Sequence, residues 1–216
     1  ALLADERADE LQGIATDLDR FRISDAAERL ERLAAEGEDA DVVFLQGQLA
    51  FYRGNYDDAA SLLRRAETLA DAVDQPGIGK YAALVEATAE LTRGFERKLS
   101  ADGRFEMRYP PGTDEVLVDF AFAAMSQAYD AYAADFGARP ESPVRIEVYD
   151  SAAALAKVST LSEQDIVNTG TIALSKYNRI MLTSPRALVR GYGWIDTAKG
   201  GERASGVEYV LRRRDS

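Results

Sequence analysis

Neither histidine nor cysteine occurs among the 216 residues, so any chemistry here runs without imidazole or thiolate. That excludes disulfides, thiol catalysis, thiolate metal sites and the usual general base near neutral pH. Carboxylates and hydroxyls remain. Asp196, Glu202 and Glu208 fall within thirteen residues of one another, and carboxylates bind hard cations. No D-x-D-x-D-G spacing accompanies them, and scattered acids are ordinarily solvated, so no metal site is expected. Ser175 and Ser184 have no histidine to activate them. Ser175 and Lys176 are neighbours, which on a strand directs their side chains to opposite faces. No G-x-S-x-G, P-loop or G-x-G-x-x-G is present, and "RGYGW" (190–194) lacks the strand-to-helix context of a phosphate site. The run "RRR" at 212–214 reads as a solvated helix end.

The elements that must position such residues come in two textures. The formal charge of −11 argues against a nucleic-acid partner. It is unevenly placed: residues 1–100 carry 21 acids and 12 bases, the remainder 16 and 14. No apolar run approaches the ~20 residues of a membrane span. The opening "ALLADERADELQ" turns acidic within five residues and does not read as a signal peptide. The compartment and the oligomeric state are not legible.

Residues 1–100 read as helical hairpins. In "ADVVFLQGQLAFYRGNYDDAASLLRRAETLAD" two helices meet at Gly54-Asn55, Gly47 marks a close helix approach, and Tyr56 is placed to cap the hairpin with an aromatic contact. Ile23, Ala26, Leu30 and Leu33 precede Tyr56, Ala59, Leu63 and Ala66 by 33 residues each, near the ~34-residue period of tetratricopeptide repeats. This pattern, G-x(6)-G-x-Y-x-x-A-x(6)-A, resembles such a repeat, although the signature proline after its second helix is missing. A third helix is expected over "GKYAALVEATAELTRGFERKL", with Tyr81, Leu84, Ala87 and Leu91 at helical spacing. The resemblance implies a surface for a protein or peptide partner, with Gln46, Phe51, Tyr52 and Tyr56 in its groove, or else a brace for the neighbouring half.

From residue 101 the pattern changes. "RFEMRYPPG" reads as a strand stopped by prolines, and "TDEVLVDFAFAAMSQAYDAYAADFG" as a long helix. Thr113 or Asp114 is expected to cap that helix, Phe120, Ala124, Ala128 and Tyr132 to share one face, and Gly137 to end it. "PVRIEVYD" alternates as a strand, Ser151 opens a short helix, and "NTGTIALS" and "NRIMLTSP" pair as a hairpin about "KYN". Phe122, Met125 and Met181 are assigned to the core. The expected fold is α+β: helical hairpins over 1–100, then a mixed α/β unit over 101–216.

Over residues 105–197 the pieces "YPPG", "PVRIEVY", "TGTIAL", "NRIMLTSP" and "GYGWIDT" resemble the N-terminal part of peptidase MA-like domains. These are bacterial gluzincin-type zinc metallopeptidases, often fused behind tetratricopeptide repeats. The resemblance implies a gluzincin-like subdomain and a helix bearing H-E-x-x-H, whose histidines at i and i+4 grip zinc with a later glutamate. After "WIDT" this sequence instead has "AKGGERASGVEYVLRRRDS", which puts Ala204, Ser205 and Glu208 at the His, Glu and His positions. Gly200, Gly201 and Gly206 each weaken a helix there by about 1 kcal/mol. Zinc therefore belongs to active relatives, and no cofactor is expected in this chain. The expected function is a protein-interaction module with an inactive or truncated peptidase-like domain. If a peptide-binding edge strand is retained, Gly170, Thr171, Ile172 and Ala173 line it. The alternatives are a zinc metallopeptidase whose ligands lie outside this chain or are lost, and a repeat adapter joined to an unrelated α/β domain. The resemblance also suggests a bacterial and exported origin.

Overall fold

The structure, a computed structural model, describes residues 2–70, 76–140 and 143–187. Five helices come first: α1 (Leu2–Asp19), α2 (Ile23–Glu36), α3 (Ala40–Tyr52), α4 (Tyr56–Ala70) and α5 (Pro76–Thr92). They are followed by β1 (Glu96–Leu99), β2 (Phe105–Tyr109), a 3-10 turn (Thr113–Leu117), α6 (Val118–Phe136), β3 (Val144–Tyr149), α7 (Ala152–Lys157), α8 (Glu163–Thr169), β4 (Ala173–Lys176) and β5 (Arg179–Thr183). The fold is α+β with one mixed five-stranded sheet in the order β1-β2-β3-β5-β4. The two central pairings are parallel and the two outer ones antiparallel.

Periodicity builds the helical layer. Ile23, Ala26, Leu30 and Leu33 on α2 are buried, and so are their counterparts Tyr56, Ala59, Leu63 and Ala66 on α4. Asp39 accepts the Val42 N–H at 2.9 Å and so caps α3. Gly47 is the close contact: a Cβ added there would sit 2.8 Å from Leu63 Cγ. The expected aromatic contact at the turn is Phe51 with Tyr56, ring centroids 5.4 Å apart.

The sheet's apolar face carries Phe105, Met107, Ile146, Val148, Ile180 and Leu182, covered by Val118, Phe122, Met125 and Tyr129 of α6. Met181 is fully buried in a further cluster with Tyr149 and Leu155.

Three expectations need correction. The third helix does not run through "FERKL": α5 stops at Thr92, and Glu96–Leu99 pairs with β2, so the sheet draws its first strand from before residue 101. Its fully buried stripe is Ile78, Ala82, Val85 and Ala89, while Tyr81 and Leu84 are packed beside it. On α6, Phe120, Ala124, Ala128 and Tyr132 share one side, as expected, and it faces solvent, with Phe120 73% and Tyr132 62% exposed. Neither expected residue caps that helix. It starts from the 3-10 turn without a side-chain cap, and Asp114 instead accepts the Ser184 hydroxyl at 3.0 Å. Finally, Asn168 and Thr169 belong to α8, opened by a Ser162–Asp165 capping box, rather than to a strand.

Two glycines should respond with opposite sign to alanine. Gly47→Ala forces a methyl against the fully buried Leu63 and should destabilise by about 1–3 kcal/mol. Gly77→Ala meets nothing within 4 Å on α5 and should stabilise by up to about 1 kcal/mol. Urea unfolding of both variants decides; equal effects would refute the tight α3–α4 contact.

Candidate functional site

The second face of the sheet is charged, and it is buried. Register places Glu106 and Arg108 (β2), Arg145 and Glu147 (β3) and Arg179 (β5) on one side. Glu106, Arg145, Glu147 and Arg179 are all 5% exposed or less. What covers them is the turn between α3 and α4. Arg108 Nη1 donates to the Gly54 carbonyl at 2.8 Å, and Arg145 donates to the carbonyls of Tyr52, at 3.2 Å, and Arg53. The end of a helix leaves such carbonyls without internal partners and carries the negative end of its dipole, so guanidinium groups satisfy both. Gly54 has φ +78, and a side chain there would run into Arg145 and Arg108. Glycine is required at that position on both counts.

Glu147 is the centre of this face. It accepts from the hydroxyls of Tyr56 and, at 2.6 Å, Tyr149. Arg179 Nη1 stands 3.0 Å from Oε2, the oxygen that also takes the Tyr149 hydroxyl, as an ion contact outside hydrogen-bond alignment. Arg179 also donates to the Val158 carbonyl at 3.0 Å and lies 4.8 Å from the Phe51 ring and 5.2 Å from the Tyr56 ring. Burial alone would weaken the Arg179 charge, but Glu147, Tyr56 and Tyr149 outweigh it and hold the guanidinium above its ordinary pKa. Burial pushes the Tyr56 phenol up to about 12 and Tyr149 well above its usual value, so both remain protonated donors. The arrangement is a closed, structural network. Solvent does not reach its carboxylate, so it offers no acid or base to a substrate.

The hairpin β4–β5 locks onto the helices. Tyr177 and Asn178 form its two-residue turn with φ of 58 and 55, as a type I′ connection requires. Tyr177 is 7% exposed, with its ring centroid 5.2 Å from Phe51, 6.0 Å from Tyr52 and 6.3 Å from Tyr81. Asn178 Nδ2 donates to the Tyr52 carbonyl at 3.2 Å. Of the expected groove residues, Phe51, Tyr52 and Tyr56 are thus buried against the chain's own hairpin and sheet, and Gln46 is half-buried. Tyr177, Arg145, Glu147 and Arg179 were not singled out by sequence as site residues. The one cue was "YN" between two strands, a pair suited to an αL turn.

The expected edge residues separate. Gly170 ends α8 in the left-handed region at φ 64, Thr171 bonds back to the Ile166 carbonyl at 3.0 Å, and only Ala173 lies in the edge strand β4. Thr183 N–H donates to the Ile172 carbonyl at 2.9 Å, and the two-residue turn makes Lys176–Arg179 a hydrogen-bonded pair of the same parity. In an antiparallel ladder the alternate residues, Ala173 and Ser175, then turn their N–H and C=O outward. The other edge, β1, reads ERKL, three charges in four residues, whereas β4 reads ALSK, with one. Charge is what blunts an edge against pairing. Ile172 stands 55% exposed where the chain enters β4.

The other chemical candidates come to little. Lys176 Nζ donates to Thr160 Oγ1 at 3.2 Å, and Ser184 is 1% exposed. Among the described residues no group of three or more acids is arranged to hold a cation. Residues 190–216, with Asp196, Glu202, Glu208 and 212–214, lie outside the described residues. The donor set there does not fit zinc: Ala204 offers no ligand atom and no imidazole exists anywhere in the chain.

Comparison with protein-family models, with curated proteins and with solved structures finds no match to this chain.

Tyr177→Ala should cost about 3–5 kcal/mol, like other buried aromatic truncations. Lys176→Ala next to it should cost no more than about 0.5 kcal/mol. Far-UV and near-UV circular dichroism should lose both signals in one transition; wild-type melting of Tyr177→Ala would sink the interlock.

Glu106 supplies a pH test. Burial pushes its carboxyl up, but the Arg108 hydrogen bond and the charges of Arg108, Arg145 and Arg97 outweigh this and hold the pKa below 4.5. A depressed carboxyl contributes stability above its unfolded pKa and loses it as pH falls through the folded one. The protein should therefore lose stability below about pH 4.5, and Glu106→Gln should flatten that loss while being less stable at neutral pH. Denaturant titrations from about pH 7 to about pH 3 check the slope.

Proposed function

We propose that this chain is a peptide-binding module: a tetratricopeptide-like helical layer braces a gluzincin-like sheet, and the sheet takes an extended peptide on the edge of β4. The observation that carries this reading is the outward N–H and C=O of Ala173 and Ser175 on a nearly uncharged edge. Backbone hydrogen bonds of an added strand give affinity, and pockets for alternate side chains give selectivity. The burial of Phe51, Tyr52 and Tyr56 under the hairpin supports the bracing role of the helices over an open groove. The resemblance of "TGTIAL" and "NRIMLTSP" to peptidase MA-like domains supports the same edge, because there it flanks the zinc helix. The mismatch of Ala204, Ser205 and Glu208 with zinc ligands favours binding over hydrolysis. Among the described residues no helix is long and apolar enough to cross a membrane.

A short fluorescent peptide of alternating valine and threonine should bind, read by anisotropy. Methylating its alternate backbone nitrogens should abolish binding. Ser175→Pro, which removes one outward donor, should weaken it by about tenfold or more. Equal binding of the parent and both N-methylated registers refutes β-addition, even if Ser175→Pro fails to fold.

A further inference from the structure

Where β4 runs into its turn, the edge opens onto a cleft of about 670 Å³ with no acidic residue among the described residues of its lining. Its walls are Arg20, Phe21 and Arg22 from the α1–α2 turn, Arg139 after α6, and Ser175 with Asn178 from the hairpin; Val144 and Ile180 give it an apolar floor. Arg179 reaches this wall too, but its guanidinium is engaged with Phe51 and Tyr56. Three other arginines thus meet at one place in a chain of net charge −11. Arg22 is neutralised in part by Asp17, which is 4% exposed and also paired with Arg29. Asp19 is a second acid on the same turn. Arg20 and Arg139 have no carboxylate partner among the described residues, and Arg139 lies 5.8 Å from the Tyr129 ring.

The aromatic between the arginines is held in an unusual way. Phe21 has φ 58 and is 43% exposed. A bulky residue in the left-handed region marks strain that surrounding structure must maintain, a recurrent feature of ligand sites. Phe21 leans towards Tyr52, ring centroids 6.4 Å apart, and lines the cleft.

Ser175 belongs to both features: it carries outward-facing backbone groups of β4 and lines the cleft. Register puts its side chain on the face of Ile180 and Val144. Residues of an added strand that lie opposite Ala173 and Ser175 project to that same face. We propose that the cleft takes a carboxylate of the bound peptide, which makes the ligand class an extended acidic peptide. The proposal rests on addition at β4. Arg20 and Arg139 supply charge-assisted hydrogen bonds to the carboxylate, and Phe21, Val144 and Ile180 meet its apolar neighbours. The carboxylate comes from an Asp or Glu side chain, or from a peptide C-terminus if the peptide adds parallel to β4.

The test uses the valine–threonine peptide in four forms: two glutamates at its N-terminal end, two glutamates before an amidated C-terminus, a bare C-terminal carboxylate, and an amidated glutamine control. At least one carboxylate form should bind about tenfold tighter than the control, with the gain shrinking as salt rises. Which form gains identifies the carboxylate. Arg20→Glu with Arg139→Glu should erase the gain and leave the control peptide unchanged. Arg20→Gln with Arg139→Gln, which introduces no new charge, should do the same at wild-type melting temperature. If all four forms bind alike, or if the gain survives both double variants, the proposal falls while β4 addition stands. If no form binds, both fall.

Discussion

A carboxylate removed from water governs how the two halves of this protein meet. Glu147 sits at 0% exposure in the middle of the sheet with two tyrosine hydroxyls and one guanidinium around it. Unpairing a buried ion of this kind costs about 3–5 kcal/mol. Its partners are drawn from β3, β5 and the start of α4, so satisfying one charge fixes three elements. The same constraint explains why Arg145 and Arg108 end on carbonyls of the α3 terminus. Both of these arginines need acceptors once buried, and the end of α3 has orphan carbonyls to offer.

The interface is therefore polar in its middle and aromatic at one side. Tyr177, Phe51, Tyr52 and Tyr81 make the dry part, and the arginine–carbonyl contacts set orientation. Polar contacts tolerate little displacement, since a shifted donor leaves a buried group unsatisfied. Aromatic packing alone would permit sliding. The combination gives the sheet one docking position on the helices, which leaves β4 on the outside of the assembly.

Much of this was legible in the sequence, and the limits have physical causes. The 33-residue echo of Ile23, Ala26, Leu30 and Leu33 named core positions correctly because helical burial follows period alone. "VRIEVY" announced a strand by its alternation, yet the alternation could not say which face is wet. Arg145 and Glu147, the charged half of that alternation, are covered by helices lying far away in sequence. On α6 the spacing puts Phe120 and Tyr132 on one side without saying whether that side is covered; Phe122, Met125 and Tyr129 pack against the sheet, and Phe120 and Tyr132 face out. Four residues of "ERKL" became a strand because β2 offered a free edge, a reason invisible in local propensity. At the candidate site, of Gly170, Thr171, Ile172 and Ala173 only Ala173 lies in the edge strand. Gly170 was needed to end a helix, and the outward positions begin at Ala173.

The turn at Tyr177–Asn178 sets an order of events during synthesis. Asn178 bonds to a carbonyl 126 residues earlier, and Tyr177 completes an aromatic cluster whose other members lie before residue 82. A ribosome making this chain releases α3, α4 and α5 long before the ring that closes them. Phe51, Tyr52 and Tyr81 stay uncovered for that interval, and a contact so distant in sequence is slow to close. The nascent helical layer is thus a sticky surface waiting for its own hairpin. The period of greatest exposure to misassembly is the translation of residues 82–177.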